Sequence, residues 1–490
     1  MRGAWRADDV RVAEERLMAT VPPGTLMQRA ATGLARRCAE LLAEAGGVYG
    51  ARVVLLVGGG NNGGDALYAG ALLARRGAAV RAVLLSPQRS HADGLAALRA
   101  AGGRVVADPF DSTVDLVVDG IVGIGAKGGL RGAAAELVAR LGGLNPRPIV
   151  VAVDLPSGVD VDTGAVEGAA VAADVTVTFG CLKPGLVVGP AAALSGLVDF
   201  VDIGLSITDT EPAVRIPDLV DIASWWPHPG PASDKYTRGV AGLATGSAGY
   251  PGAALLSAAG ALAGPAGMVR YAGPAAGDVV RSHPSVIPSH AVADTGRVQA
   301  WLVGCGIGTD ARARDEVRAV LAAPVPVVVD ADAITLAGEP GLLAVLRART
   351  APTVVTPHDR EFARLAGETV GSDRLAAASG LAERLGVVTL LKGDRTVVAH
   401  PDGRAWANPT GTATLATAGT GDVLAGLLVS LLAAGVPAER AAVTAAYVHG
   451  LAGRAASRGE QGPRPVTAPD VAAALPSVIG SLHDAYWPVG

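Results

Sequence analysis

Two glycine-rich loops, one in each half of the 490-residue chain, constrain its fold more than any other feature. The first, Gly58-Gly59-Gly60-Asn61-Asn62-Gly63-Gly64-Asp65, follows directly on the apolar run from Arg52 to Val57. The second, Ala418-Gly419-Thr420-Gly421-Asp422, runs directly into the helix-prone stretch from Val423 to Leu428. Each puts small residues where a helix N-terminus offers unpaired N–H groups to an anion, with a carboxylate alongside. Two such loops imply two active sites acting on a common phosphorylated ligand.

Around the loops, short apolar runs alternate with longer Ala/Leu/Arg stretches of helical period. Strands are expected at 52–57, 79–85, 115–119, 148–153 and 174–179, with helical patterns at 65–76 and 132–141. That alternation predicts a parallel sheet covered by helices on both faces. It lapses in the Pro-rich stretch from Ile216 to Pro231, which reads as a linker over 216–235. It then resumes, with strands expected at 240–245, 299–303, 326–330, 353–356, 387–391 and 395–399. The fold class is therefore α/β with two domains, 1–215 and 236–490, which suits a chain too long for one core.

Composition narrows the function. Half the residues are hydrophobic and 18% are charged, as in a globular protein. A net charge of −4 gives nucleic acid no electrostatic footing. Mean hydropathy is +0.37, yet Gly, Pro or charge interrupts every apolar run before the roughly 18 residues that a membrane span needs. A soluble protein is expected, with no membrane partner. Cys38, Cys181 and Cys305 are scattered without metal-type spacing, which suits reduced thiols in a cytoplasm. No apolar stretch backs the charged N-terminal residues, so no signal peptide is expected.

The first loop contains Gly58-x-Gly60-x-x-Gly63, a dinucleotide fingerprint that Ala/Gly-rich chains also produce by chance. A dehydrogenase should carry an acidic residue after the next strand to hold the ribose hydroxyls. Here that strand runs into Leu84-Leu85-Ser86-Pro87-Gln88-Arg89, without a carboxylate. More specific are the loops at three strand ends: Asn61-Asn62-Gly63-Gly64-Asp65, then Asp119-Gly120-Ile121-Val122-Gly123-Ile124-Gly125, then Asp154-Leu155-Pro156-Ser157-Gly158. In a parallel sheet these carboxyl ends form one crevice. Asn62, Asp119 and Ser157 could there offer hard oxygens to a weakly charged cation, a set unlike the N and S ligands of zinc.

These blocks, with Leu26-Met27-Gln28-Arg29-Ala30 upstream, resemble the NAD(P)H-hydrate epimerases, which interconvert the R and S epimers of the hydrated cofactors NADHX and NADPHX. The resemblance implies a Rossmann-like three-layer α/β/α domain and a potassium ion at Asn62, Asp119 and Ser157. It also implies hydrate contacts from Asn61, Asn62, Gly63, Gly64 and Asp65, from Gly123, Ile124, Gly125, Ala126, Lys127, Gly128 and Gly129, and from Asp154. Asp154 is its best candidate for proton transfer at C6. Ile124 stands where the family commonly has a hydroxyl.

Gly419-Thr420-Gly421-Asp422 at a helix start is the anion hole and catalytic Asp seen in ribokinase-like kinases. Backbone N–H groups neutralise a transferring phosphoryl while Asp422 takes the proton of the attacking hydroxyl. Further blocks resemble the ADP-dependent NAD(P)H-hydrate dehydratases. They include Lys235-Tyr236-x-Arg238-Gly239, Gly246-Ser247-x-x-Tyr250-x-Gly252-Ala253-Ala254, Val303-Gly304-x-Gly306-Ile307-Gly308, Asp330-Ala331-Asp332-Ala333, Thr356-Pro357-His358-x-x-Glu361-Phe362 and Asn408-Pro409-Thr410-Gly411. By this resemblance Ala253, Gly308, His358 and Asp422 touch the hydrate. Lys392, Gly393, Asp394, Arg395 and Thr396, with Gly421, hold ADP, with magnesium a further possibility. Cys305, in place of a usual proline, and Ala418, in place of a glycine, are departures. A homo-oligomer is expected. A kinase of a small hydroxylated vitamin precursor, with a non-catalytic first domain, is the alternative.

Overall fold

A computed structural model describes residues 1–125, 128–459 and 462–486. The chain divides into two compact units, Gly3–Val214, and Arg215–Gly490 together with Met1 and Arg2. In the first, parallel strands lie in the order Arg104–Val105, Ala79–Leu84, Arg52–Val57, Leu116–Gly120, Ile149–Val153, Val175–Phe179 and Leu197–Val201. Alternate side chains of Arg52–Val57 enter different cores. Val53, Leu55 and Val57 pack on the helices Thr25–Glu44 and Asn61–Arg75, while Val54 and Leu56 share the other face with Leu137 and Leu141. That period of two, buried on both faces, is why the strands read as unbroken apolar runs. The strand order reverses between Arg52–Val57 and Leu116–Gly120, so a crevice opens beyond their carboxyl ends.

The second unit repeats the logic with a different topology. Ile287–Ser289, Met268–Ala272, Val240–Ala244, Ala300–Val303, Val327–Val329, Thr353–Val355 and Val388–Leu391 are parallel neighbours in that order. Val397–Ala399 and Ala405–Ala407 then extend the sheet as antiparallel strands. Here the reversal falls between Val240–Ala244 and Ala300–Val303. The helix that follows the second glycine loop, Thr420–Ala433, packs against Pro251–Ala263 at backbone contact. A Cβ on Gly426 would lie 2.1 Å from the Ser257 carbonyl, and one on Gly260 2.1 Å from that of Val423, so only glycine permits the approach.

Two sequence expectations change. The helix after the first loop begins at Asn61, not 65, so Asn61 to Asp65 form its first turn. The stretch 216–235 differs from a plain linker, because Leu219–Trp225 is a helix. Asp218 and Asp221 cap it reciprocally, each carboxylate accepting the other's backbone N–H at 2.9 Å. Ile222, Ala223 and Trp226 are buried in the second core. The prolines that suggested a linker all follow this helix except Pro217, and residues 227–239 carry neither helix nor strand. No helix among the described residues is long and apolar enough to cross a membrane. All three cysteines are buried and unpaired.

Candidate active sites

In the first unit the crevice is a cavity of about 1030 Å³. Of the residues expected from sequence, Asn61, Asn62, Asp65, Gly123, Ile124, Gly125, Gly128, Gly129 and Asp154 line it. Gly63 and Gly64 are buried in the helix behind, and Ala126 and Lys127 lie outside the described residues. The N–H groups of Asn61, Asn62 and Gly63 occupy the helix's first turn, where no intrahelical acceptor exists.

Asn62, in the cavity wall, meets the buried Asp119 and Ser157 at the Val122 carbonyl, which both the Asn62 amide and the Ser157 hydroxyl reach. Asp119 is fully buried, and its oxygens accept from the Ser157 hydroxyl at 2.6 Å, the Ser157 N–H at 2.8 Å and the Ile121 N–H at 3.3 Å. Burial pushes its carboxyl up to about 6 against the pull of those donors, and among the described residues no cation pairs with it. The Asn62 amide donates to the Val122 and Val153 carbonyls at 3.0 and 2.8 Å, while its Oδ1 would lie 2.8 Å from a Cβ on Gly123. A buried carboxylate without a counter-charge, among amide, hydroxyl and carbonyl oxygens, fits a monovalent cation.

Asp154 sits at φ 66°, a left-handed backbone uncommon outside glycine. Its Oδ1 accepts from Lys183 Nζ at 2.5 Å, Thr178 Oγ1 at 3.0 Å and the Phe179 N–H at 3.2 Å. Lys183 was missed from sequence, as were Glu14 and Arg11, which line the cavity. The signal for Lys183 was its place in Cys181-Leu182-Lys183-Pro184, the loop after the next strand. Burial, then the charges of Asp154 and Glu14, drives the Asp65 carboxyl well above its ordinary range. Glu14 is raised too, by burial and then by Asp154.

In the second unit a cavity of about 450 Å³ is lined by residues from Gly249 to Ala253 and by Leu256, Gly306, Ala418, Gly419 and Asp422. Gly419 takes φ 89° as N-cap, so the free first-turn N–H groups are those of Thr420 and Gly421. The Thr420 hydroxyl pins the turn by donating to the Leu415 and Thr417 carbonyls at 2.8 and 3.0 Å. A Cβ on Gly421 would sit 3.7 Å from Lys392 Nζ, which puts that ammonium beside the anion loop. Burial and then the Asp330 charge push Asp422 up to about 7, against Cys305 and Lys392.

Lys392 is more than a strand-end lysine. Its Nζ lies 2.8 Å from Asp330 Oδ1 and 3.4 Å from Glu361 Oε2. Burial opposes its charge, but the two carboxylates more than offset this and hold it above the usual lysine range. Asp330 also accepts from Thr356 Oγ1 at 2.7 Å and from the Cys305 thiol at 3.4 Å. Asp330 and Glu361 stood in quoted blocks without a role, and their burial is what sequence could not show. His358 caps Asp359–Ala366, its Nδ1 accepting from the Arg360 and Glu361 N–H groups at 3.1 and 3.3 Å. Nearly half of its side chain remains exposed. Gly308 gives its N–H to Asp332 at 2.9 Å. In the expected nucleotide turn, Arg395 donates to the Pro409 carbonyl at 3.2 Å and Thr396 to that of Gly393 at 3.0 Å.

Two family models match the chain. The one described as NAD(P)H-hydrate dehydratase covers residues 241–477, and the one described as YjeF-related protein N-terminus covers 23–185. The bifunctional NAD(P)H-hydrate repair enzyme Nnr of Mycobacterium tuberculosis H37Rv is 50% identical over 444 residues, 90% of this chain and 91% of its own. Its Mycobacterium leprae counterpart is 48% identical over 481 residues, 98% of each chain. The ADP/ATP-dependent NAD(P)H-hydrate dehydratase from Bacillus subtilis, co-crystallised with ATP and Mg2+, is 29% identical with a TM-score of 0.50, over 55% of this chain and 99% of that one. A ribokinase-like superfamily protein of Enterococcus faecalis is 25% identical with a TM-score of 0.50, over 55% and 96%.

Proposed function

Because the chain belongs to the bifunctional NAD(P)H-hydrate repair enzymes, we propose that its two cavities are that family's two active sites, one in each unit. The first unit epimerises NADHX and NADPHX, and the second dehydrates the S epimer at the expense of a nucleotide. A stereospecific dehydratase can process one epimer alone, so the fusion makes the whole damaged pool repairable. The observation that carries this reading is the same device in both cavities: a glycine-opened helix N-terminus beside a carboxylate that lines the cavity, Asp65 in the first and Asp422 in the second.

In the second unit Asp422 takes the proton of the C6 hydroxyl as its oxygen attacks the terminal phosphoryl of ADP, releasing AMP. The Thr420 and Gly421 N–H groups and Lys392 face the charge that develops on the phosphoryl. Phosphate then departs with the C6–O bond while a proton leaves C5, and the double bond returns. Phosphorylation is needed because hydroxide is a poor leaving group. By the family resemblance Ala253, which lines the cavity, together with Gly308 and His358 shapes the hydrate side, and Gly393 to Thr396 the nucleotide side. Three buried, unpaired thiols support a reducing, cytoplasmic setting.

The test is purified full-length protein with mixed NADHX epimers, with and without ADP, following NADH recovery and AMP release. Complete recovery of both epimers, one AMP per NADH, is expected. Repair with ATP alone, or NADH recovered without nucleotide consumed, would refute the ADP mechanism.

In the first unit Asn62, Asp119 and Ser157 would hold potassium, which when bound supplies the positive charge that buried Asp119 lacks and ties three strand-end loops together. Asp119→Ala and Asn62→Ala should therefore weaken the potassium dependence of epimerisation and slow it, with dehydration untouched. Rates measured against potassium concentration decide this. An unchanged curve in both variants removes the site.

A further inference from the structure

Resting on the epimerase reading of the first cavity, we infer that Asp65 and Asp154 act there as an acid–base pair. Asp65 donates a proton to the departing C6 hydroxyl, and Asp154 accepts one from the incoming water. The two carboxyls line one cavity from different strand ends, and their surroundings are opposite.

Asp154 is paired with a cation. Three donors, Lys183 Nζ, Thr178 Oγ1 and the Phe179 N–H, converge on its Oδ1. Among the described residues none reaches Oδ2, which leaves that oxygen for a ligand. Lys183 is 1% exposed and also donates to Thr178 Oγ1 and the Phe179 carbonyl, so its position is fixed and no ligand competes for it. The left-handed backbone at Asp154 is strain of the kind stored where a side chain must be aimed.

Asp65 has none of this. It is 7% exposed, and its buried Oδ1 has no hydrogen-bond partner among the described residues. Among the described residues no cation pairs with it, and the charges acting on it, Asp154 and Glu14, are both negative. Of the arginines in the lining, Arg11 is tied to Asp8 at 2.6 Å and to the Ile124 carbonyl at 2.9 Å, and among the described residues neither Arg89 nor Arg131 forms an ion pair with Asp65. A carboxyl buried unpaired beside like charges keeps its proton. One carboxyl paired with a buried lysine and its neighbour left without a cation beside like charges is the arrangement that assigns base and acid.

The step balances without a further reactant. The Asp65 proton passes to the C6 hydroxyl oxygen as the C6–O bond breaks, and the ring nitrogen lone pair forms a C6–N double bond. Water leaves. Water then adds to the other face of C6, the double-bond pair returns to nitrogen, and the surplus proton goes to Asp154. The proton now rests on Asp154, so the reverse epimerisation runs with the roles exchanged, and exchange with solvent resets the pair.

The experiment follows epimer inversion by the full-length protein in isotopically labelled water, with wild type, Asp65→Asn and Asp65→Glu. Wild type should take up one solvent oxygen at C6 per inversion, a result that needs no variant. Asp65→Asn, neutral and isosteric, should lower kcat for epimerisation by at least about 10²-fold while KM moves less than about threefold, and Asp65→Glu should recover part of the loss. ADP-dependent dehydration should be unchanged. Inversion with the original oxygen retained would overturn the pair in favour of ring opening. A raised KM with kcat within a few-fold would reduce Asp65 to a binding contact. Wild type without any epimerase activity would instead overturn the reading of the cavity itself.

Discussion

Replacing Asp422 with alanine is expected to abolish dehydration, by about 10² to 10⁴-fold, the range for a positioned general base. Epimerisation should be unaffected, because its residues lie in the other unit. The pH profile carries a second signature. With its carboxyl raised to about 7, Asp422 is ionised, and able to accept a proton, only as the pH climbs through that value. The kcat/KM for dehydration should therefore fall about tenfold per pH unit below it, and Asp422→Ala should lose that limb along with the activity. Stability runs the other way. A carboxyl whose folded value lies above its unfolded one of about 3.9 stabilises the fold fully only below the lower value, and this contribution is lost as pH rises to the upper. Asp422→Asn should consequently unfold at higher denaturant than wild type at pH 8, with the gain vanishing near pH 4. Dehydration surviving within a few-fold in Asp422→Ala would remove the residue from the mechanism.

What could be read in the sequence was what local chemistry determines. The strands expected at 52–57, 148–153, 240–245 and 353–356 stand within two residues of those observed, because strands buried on both faces announce themselves as short apolar runs. Met268–Ala272 went unseen because Arg270 interrupts its apolar run, and that arginine turns out to bond the Thr295 carbonyl. The helix start at the second glycine loop was read where it lies, and the one at the first loop four residues late, because small residues at a helix N-terminus mark the start without fixing its first residue. Pairings across the chain were not legible. Lys183 lies 29 residues from Asp154, and Lys392 lies 62 from Asp330, so nothing in either neighbourhood hinted at a buried ion pair. Asp65 shows the same limit from the other side. Its motif marked it as a contact residue, but that it is buried without a partner is a property of the folded cavity.

On the proposed reading Lys392 serves both the fold of the second unit and its nucleotide, so its loss should register twice. Lys392→Met strands Asp330 and Glu361, 1% and 6% exposed, without their cation. Removing one partner of a buried ion pair costs about 3–5 kcal/mol, because the remaining charge is desolvated and uncompensated. The urea midpoint of the second unit should drop accordingly, and the deficit should narrow as pH is lowered and the stranded carboxylates can protonate. The variant should also raise the nucleotide requirement more than the hydrate requirement, since the ammonium sits beside the Gly421 turn as a point charge for phosphate. Lys392→Arg separates the two roles. A guanidinium keeps the positive charge between the carboxylates but is planar and larger, so it should restore much of the stability while leaving nucleotide binding impaired. Equal recovery of both properties would mean that charge alone suffices. A Met variant with unchanged midpoint and unchanged nucleotide requirement would show that Lys392 contributes to neither.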